Sequence, residues 1–312
     1  MPRIFVLVCL ALSVSSAGWA KPKPKADSAP LASRIGDEKP AKTSFKDEGW
    51  GLKLSVPKGW ELRRGTDGLV MTSQDAAGFV IVFHFEGTSM EELRSGAGEG
   101  LIIDGGNMLR VVGSPRDFGK TGVRVRYQGV VGAKTKVVGY AIGVVSKFDT
   151  NAIVLGVFPE SEGADRAEAM VEKIAKSMKL SAPRGPKKIK NWKKDLSNTR
   201  LDAVVFARSS GFGEDGDGLA GSESLILCKD GSLLERRGDS STLAALAAGQ
   251  DVGEQAAMKT QRLGTWDVTE DAAPKLVLSF DDGTTRDAPL AYEGKRLDLS
   301  SHRYFWSRAT CK

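Results

Sequence analysis

The chain holds only two histidines, His84 and His302, and three cysteines, Cys9, Cys228 and Cys311, so it has little material for metal or acid–base chemistry. A zinc site needs about four ligands, or three plus water, and no such cluster can be assembled. Nucleophilic hydrolysis needs a nucleophile, a base and an orienting group. There is no Gly-x-Ser-x-Gly elbow, and the two histidines fall in different halves. His84 shares a face with Val80 and Val82 in GFVIVFHF and reads as a hydrogen-bonded, partly covered strand residue. His302 opens a late strand and reads as a surface residue. The 39 acidic residues always permit some carboxylate pair for glycoside-type chemistry, but nothing singles one out. Gly211 to Gly216 match G-x-G-x-x-G letter for letter. A strand follows them, where pyrophosphate binding needs a helix N-terminus, and Glu214, Asp215 and Asp217 repel phosphate. A calcium-hand loop there fails at its fifth position, Leu219; a looser calcium site in 211–221 stays open. The sequence therefore assigns no catalytic residue, cofactor or metal ligand.

Residues 1–20 combine one Arg (Arg3), an apolar run from Ile4 to Val14 and small residues ending in Ala20. This is the pattern of a secretory signal peptide. The run is shorter than the ~20 residues of a spanning helix. Cleavage between Ala20 and Lys21 and a periplasmic or secreted location are the expectations. Cys9 lies inside the apolar run without a small residue before it, which excludes lipidation. Cys228 and Cys311 then remain, and in an oxidising compartment an even pair reads as one disulfide.

These residues must be positioned by two folded halves. Residues 21–48 are rich in Lys, Pro, Ala and Ser, and read as a disordered leader. Residues 49–180 form the first domain. Leu52, Leu54 and Val56 alternate with polar residues as a strand, Ser89 to Glu92 form a capping box, and three long apolar strands follow between 123 and 158. From Ala164 to Leu180, Ala167, Met170, Val171, Ile174, Ala175 and Met178 make the stripe of an amphipathic helix. Residues 181–195 are a basic linker of net charge +5. It reads as solvated chain, or as a weak contact with an anionic surface through Lys187, Lys188, Lys190, Lys193 and Lys194 with Trp192 as anchor. Residues 196–312 carry net charge −4 and read as all-β. Their short strands are Ala203–Ala207, Ser224–Cys228, Ser232–Arg236, Gly264–Val268, Lys275–Phe280, Arg286–Tyr292, Arg296–Leu299 and Arg303–Thr310. Asp230-Gly231 and Asp282-Gly283 are hairpin signals. A bridge from Cys228 to Cys311 would bring the chain end back to the first strands, closing a barrel. Residues 238–259 read as a long loop. The fold class is α+β: an antiparallel sheet with helices, then a small β-barrel.

The strand ending in Pro57-Lys58-Gly59-Trp60 and the final helix running into Ser177-Met178-Lys179-Leu180 resemble the PsbP-like α/β/α sandwich superfamily, including small bacterial exported members. The resemblance covers residues 45–180. It implies a central antiparallel sheet covered by helices, and a non-enzymatic role in binding or assembly. In the second half, Gly264-Thr265-Trp266-Asp267-Val268 is similar to the lipocalin-like pattern in which a Trp plugs one barrel end.

The excess positive charge sits in the leader and linker, and neither domain shows a run of Lys/Arg on a folded element. Nucleic-acid binding is therefore not expected. Two functions remain: an exported, non-catalytic binding or scaffolding protein with an unknown protein partner, or a carrier of a small apolar ligand. The carrier would use a barrel interior lined by Leu225, Leu227, Trp266, Leu276, Leu278 and Phe280. A hydrolase with an unrecognised carboxylate pair is the third.

Overall fold

The computed structural model describes residues 40–41, 43–64, 68–85, 89–104, 107–131, 135–148, 150–204, 222–238, 260–269, 273–293, 296–300, 302–309 and 311. The leader with its Ala20–Lys21 junction, the 211–221 loop and residues 239–259 lie outside the described residues.

The first half begins with β1 (Ser44–Asp47), β2 (Leu52–Ser55), β3 (Trp60–Arg64), β4 (Leu69–Ser73) and β5 (Phe79–Phe85). Helix α1 (Met90–Ala97) and β6 (Leu101–Asp104), β7 (Asn107–Phe118), β8 (Gly122–Val131), β9 (Thr135–Val144) and β10 (Asn151–Pro159) follow. Helix α2 (Ala164–Ser177) and β11 (Lys179–Leu180) end it. Eight strands form one antiparallel sheet in the order β3-β4-β5-β10-β9-β8-β7-β6, beside a small sheet β1-β2-β11.

The sequence explains these elements locally. In β2, Leu52 and Leu54 are buried while Lys53 and Ser55 are exposed, the alternation of a half-buried strand. Both arms of the α1 capping box form: Ser89 Oγ accepts the Glu92 N–H, and the Glu92 carboxylate accepts the Ser89 N–H. Helix α2 buries Ala167, Val171, Ile174 and Ala175 against β9 and β10. It stops at Ser177, short of the expected Leu180, because Lys179 and Leu180 pair with β2 instead. The stretch read as disordered leader includes β1, and Ala41 bridges to Leu62. Phe45 packs on the core there; a strand of four residues is too short to show a period.

The second half holds α3 (Trp192–Leu196) and eight strands: β12 (Thr199–Val204), β13 (Ser222–Leu227), β14 (Ser232–Gly238), β15 (Thr260–Thr269), β16 (Lys275–Phe280), β17 (Thr285–Glu293), β18 (Arg296–Leu299) and β19 (His302–Arg308). They run up and down in chain order and close into a barrel where β19 pairs with β12. The first strand starts at Thr199 rather than Ala203. Thr-Arg-Leu-Asp hides the apolar pattern because Arg200 and Asp202 point away from the barrel core, towards the other domain. Cys228 and Cys311 are disulfide-bonded with Cα atoms 5.7 Å apart. Gly264 is required by the wall itself: a Cβ there would sit 2.1 Å from the Ser279 carbonyl oxygen of β16.

The halves pack directly on each other. Phe305, on the outer face of β19, joins the core of the first domain beside Trp50. Gly49 passes so close to β19 that a Cβ would meet the Trp306 carbonyl oxygen at 1.7 Å.

Candidate functional site

The inward positions of the barrel divide it into two chemically different ends. At the first end, Leu201, Leu225, Leu227, Leu233, Leu276 and Leu278 are each 0% exposed. No water-sized space touches these side chains. Helix α3 covers this end: Asn191 caps it by accepting the Lys194 N–H, and Leu196 inserts into the barrel core. Trp266 is buried, and its Nε1 donates to the Cys228 carbonyl at 2.8 Å. Lys193 Nζ donates to the Trp266 carbonyl and to Asp267 Oδ1, both at 2.9 Å, and lies 4.3 Å from the Trp266 ring centroid. Lys193 holds the Asp267 carboxyl below the usual range.

The other end carries charge. Glu223 faces inward two residues before Leu225, and Glu235 and Arg237 continue the inward face of Leu233. Arg262 and Arg286 enter from β15 and β17, and Tyr304 from β19. Glu223 and Glu235 lie together under shared cations. Arg286 lies 2.5 Å from Glu223 and 3.2 Å from Glu235. Arg237 reaches both carboxylates, at 3.3 and 3.2 Å, and Arg262 sits 3.5 Å from Glu235 Oε2. The Tyr304 hydroxyl donates to Glu223. The arginine side chains remain 23 to 46% exposed while Glu235 is fully buried, so guanidinium groups form the solvent side of the cluster. The end of β12 at Val204, the start of β13 at Ser222, the end of β14 at Gly238 and the start of β15 at Thr260 lie at this same end.

The two carboxyls titrate in opposite directions. Burial raises Glu235, and the neighbouring Glu223 carboxyl raises it further against the pull of Arg237 and Arg286. Burial also acts on Glu223, but the Arg286 hydrogen bond and charge, together with Tyr304, outweigh it and lower the net value. Burial, then the Glu223 charge, pushes the Tyr304 hydroxyl up. Glu235 is thus the more easily protonated of the two, and Glu223 the more readily ionised. Arg237 and Arg286 each contact both carboxyls, and Arg262 divides itself between Glu235 and Asp282, 3.3 Å away.

A third cluster lies between the domains. Asp47, Arg64, Asp202 and Arg200 form a chain of ion pairs with every side chain 3 to 6% exposed. Burial works against the Asp202 carboxylate, but Arg200 and Arg64 lower it overall. Beside this chain His84 is fully buried, its Nε2 3.1 Å from the Trp50 carbonyl and its ring 4.2 Å from that of Phe305. Burial, then the Arg303 charge, drops it to about 3. His84 is therefore a neutral seam residue, more deeply covered than expected, and no base faces solvent there.

No family model matches the chain, and no curated protein matches it. Solved structures with partial likeness include cyanobacterial PsbP (CyanoP) from Synechocystis, at 12% identity, covering 45% of this chain and 94% of that one, TM-score 0.35. The Saccharomyces cerevisiae Ran-binding protein Mog1p is similar at 13% identity, over 46% of this chain and 97% of that one, TM-score 0.27. A Bacteroides thetaiotaomicron protein is similar at 12% identity over 54% of each chain, TM-score 0.30.

The expected site residues fall into separate groups. Leu225, Leu227, Trp266, Leu276, Leu278 and Phe280 are all buried in the barrel core, where they fill space rather than line a cavity. In the linker, Lys187, Lys188, Lys190 and Lys194 are exposed. Trp192 packs on the barrel core and Lys193 holds Trp266, so these two are structural contacts, not a surface anchor. Glu223, Glu235 and the three arginines were not singled out, although parity with Leu225, Leu227 and Leu233 places Glu223, Glu235 and Arg237 inward. Among the described residues no group of three or more His, Cys, Asp or Glu could hold a metal ion.

Proposed function

We propose that the chain is an exported, non-catalytic binding protein, with a PsbP-like first domain and a barrel whose charged end receives an anionic group of its ligand. One observation carries the reading: at that end the sealed leucine interior gives way to three partly exposed arginines gathered over the Glu223 and Glu235 carboxyls. Arginine forks match carboxylate and phosphate oxygens in a bidentate manner. The leader pattern around Ala20 and the Cys228–Cys311 bridge support export.

The alternatives fit less well. An apolar ligand needs space that the fully covered leucines do not leave. A glycoside hydrolase needs its carboxyl groups to flank a sugar about 5 Å or more apart, whereas Glu223 and Glu235 both contact the same Arg286 nitrogen, which occupies the space between them.

The test is titration of the mature protein with inorganic phosphate and with acetate, read from the arginine Nε–H signals in nitrogen-15 NMR. Saturable shifts at Arg262 and Arg286 are expected in the wild type, and their loss in Arg286→Gln. No shift, or an unchanged response in the variant, overturns the proposal.

A further inference from the structure

We propose that the face of the first sheet formed by β7 and β8 is a docking surface for an extended acidic segment of a partner protein. Directly opposed residues in an antiparallel pair share a face. Arg116 pairs with Arg124, Val112 with Arg126 and Arg110 with Gln128, so all six side chains share one face, and Val130, opposite Lys136 of β9, continues it. Arg124 meets Glu172 of α2 at 3.0 Å, which identifies this as the α2 side of the sheet. The helix packs on β9 and β10, leaving the β7–β8 part beyond it.

The face is strongly unbalanced in charge. Arg110, Arg116, Arg124, Arg126 and Lys136 meet only Glu168 and Glu172 on the helix rim, and Glu172 is shared with Lys176. Among the described residues Arg110, Arg116 and Arg126 have no carboxylate partner, and Arg126 Nε is buried without a hydrogen bond. Opposed like charges such as Arg116 and Arg124 cost stability, so a partner carboxylate between them would relieve a cost already present. Along β8, Arg124 and Arg126 are two residues apart, about 7 Å, which is the side-chain repeat of an extended strand. Val112 and Val130 are 39% and 44% exposed. This mixture of cations and aliphatic residues suits a peptide of acidic and apolar side chains better than a polyphosphate chain. The aromatic residues on this face, Phe118 and Tyr140, are drawn into the core beneath α2 rather than displayed to anchor it at a lipid interface.

The test uses the full mature chain and a fluorescein-labelled peptide of alternating Glu and Val, read by anisotropy at about 0.15 M salt. Arg110→Gln/Arg126→Gln should weaken binding by about tenfold, whereas Lys187→Gln/Lys188→Gln/Lys190→Gln should change it by less than about twofold. Arg116→Gln, at an exposed position, should weaken binding without touching Arg126, and near-ultraviolet circular dichroism checks that each variant is folded. Equal loss in the linker variant overturns the proposal, as does undiminished binding in both arginine variants. Arginine-dependent binding to phosphatidylglycerol vesicles or single-stranded RNA without binding to the peptide also overturns it.

Discussion

The two ends of the barrel are built on the same strands yet solve opposite problems. At the α3 end every inward side chain is apolar or caps an exposed carbonyl, and the disulfide and Lys193 pin the closure from outside. At the other end the same inward positions hold Glu223, Glu235, Arg237, Arg262 and Arg286. A closed barrel needs only one face of each strand to be apolar for packing. Charges set inside it are costly unless paired. The contrast teaches that the α3 end is where the barrel is made stable and the charged end is where that stability is given up for a polar surface.

The largest expected effect removes the α3 end's covalent closure. Cys228→Ala/Cys311→Ala opens a loop spanning 83 positions, worth about 4–5 kcal/mol by chain entropy as an upper figure. Denaturant unfolding of the mature protein should show the barrel transition moving to lower denaturant while the first domain changes less. Equal movement of both would show that the barrel and the first domain unfold as one unit.

A titration away from both ends sets the background for the charged cluster. His84 is neutral when buried at about 3 and takes up its proton near 6.5 once unfolded. Stability therefore falls as pH drops from about 6.5 towards 3, by at most about 1.4 kcal/mol per pH unit. His84→Gln should flatten that limb in pH-dependent unfolding. An unchanged limb would locate the acid sensitivity in the carboxylates.

Trp266→Phe keeps an aromatic ring but removes one of two donors to the Cys228 carbonyl, leaving the Gly231 N–H, a hydrogen-bond loss of about 0.5–1.5 kcal/mol. Glu235→Gln should act through pH instead. A carboxyl raised in the folded state contributes stability below its unfolded pKa and loses it as pH rises through the folded value. The stability difference between wild type and variant should thus change as pH rises above 4.5, the wild type losing a component that the variant never had. If both variants gave the same pH-independent shift, the two ends would be one cooperative plug.

Much of the barrel was legible in the sequence because Asp230-Gly231 and Asp282-Gly283 mark turns between alternating strands, and Cys228 with Cys311 states its closure. The charged end was not, because Glu, Arg and Lys on a strand look like solvent-facing residues whichever side they occupy. Only their parity with Leu225 and Leu233 distinguishes them. The arginine face of β7 and β8 was hidden for a different reason. An irregularity between Val112 and Arg116 changes which residues meet across the strands, and Asp117, which ion-pairs with Arg94 of α1, lowers the segment's net charge. The domain as a whole carries only +2. Contrary to the sequence expectation, a folded element does gather basic residues.

The smallest effect separates two kinds of lysine in one linker. Lys187, Lys188 and Lys190 are exposed, and neutralising them together should change stability by less than about 0.5 kcal/mol. Lys193 comes from the same basic run, but its ammonium touches a carbonyl, a carboxylate and an indole at the α3 end. With its side chain 38% exposed, solvent screens part of that contact, so Lys193→Gln should cost about 1 kcal/mol. Thermal unfolding of both variants reads the difference directly. A Lys193→Gln variant as stable as the triple variant would mean that α3 rests on Leu196 and Trp192 alone, and that the cation above Trp266 adds nothing to the closure.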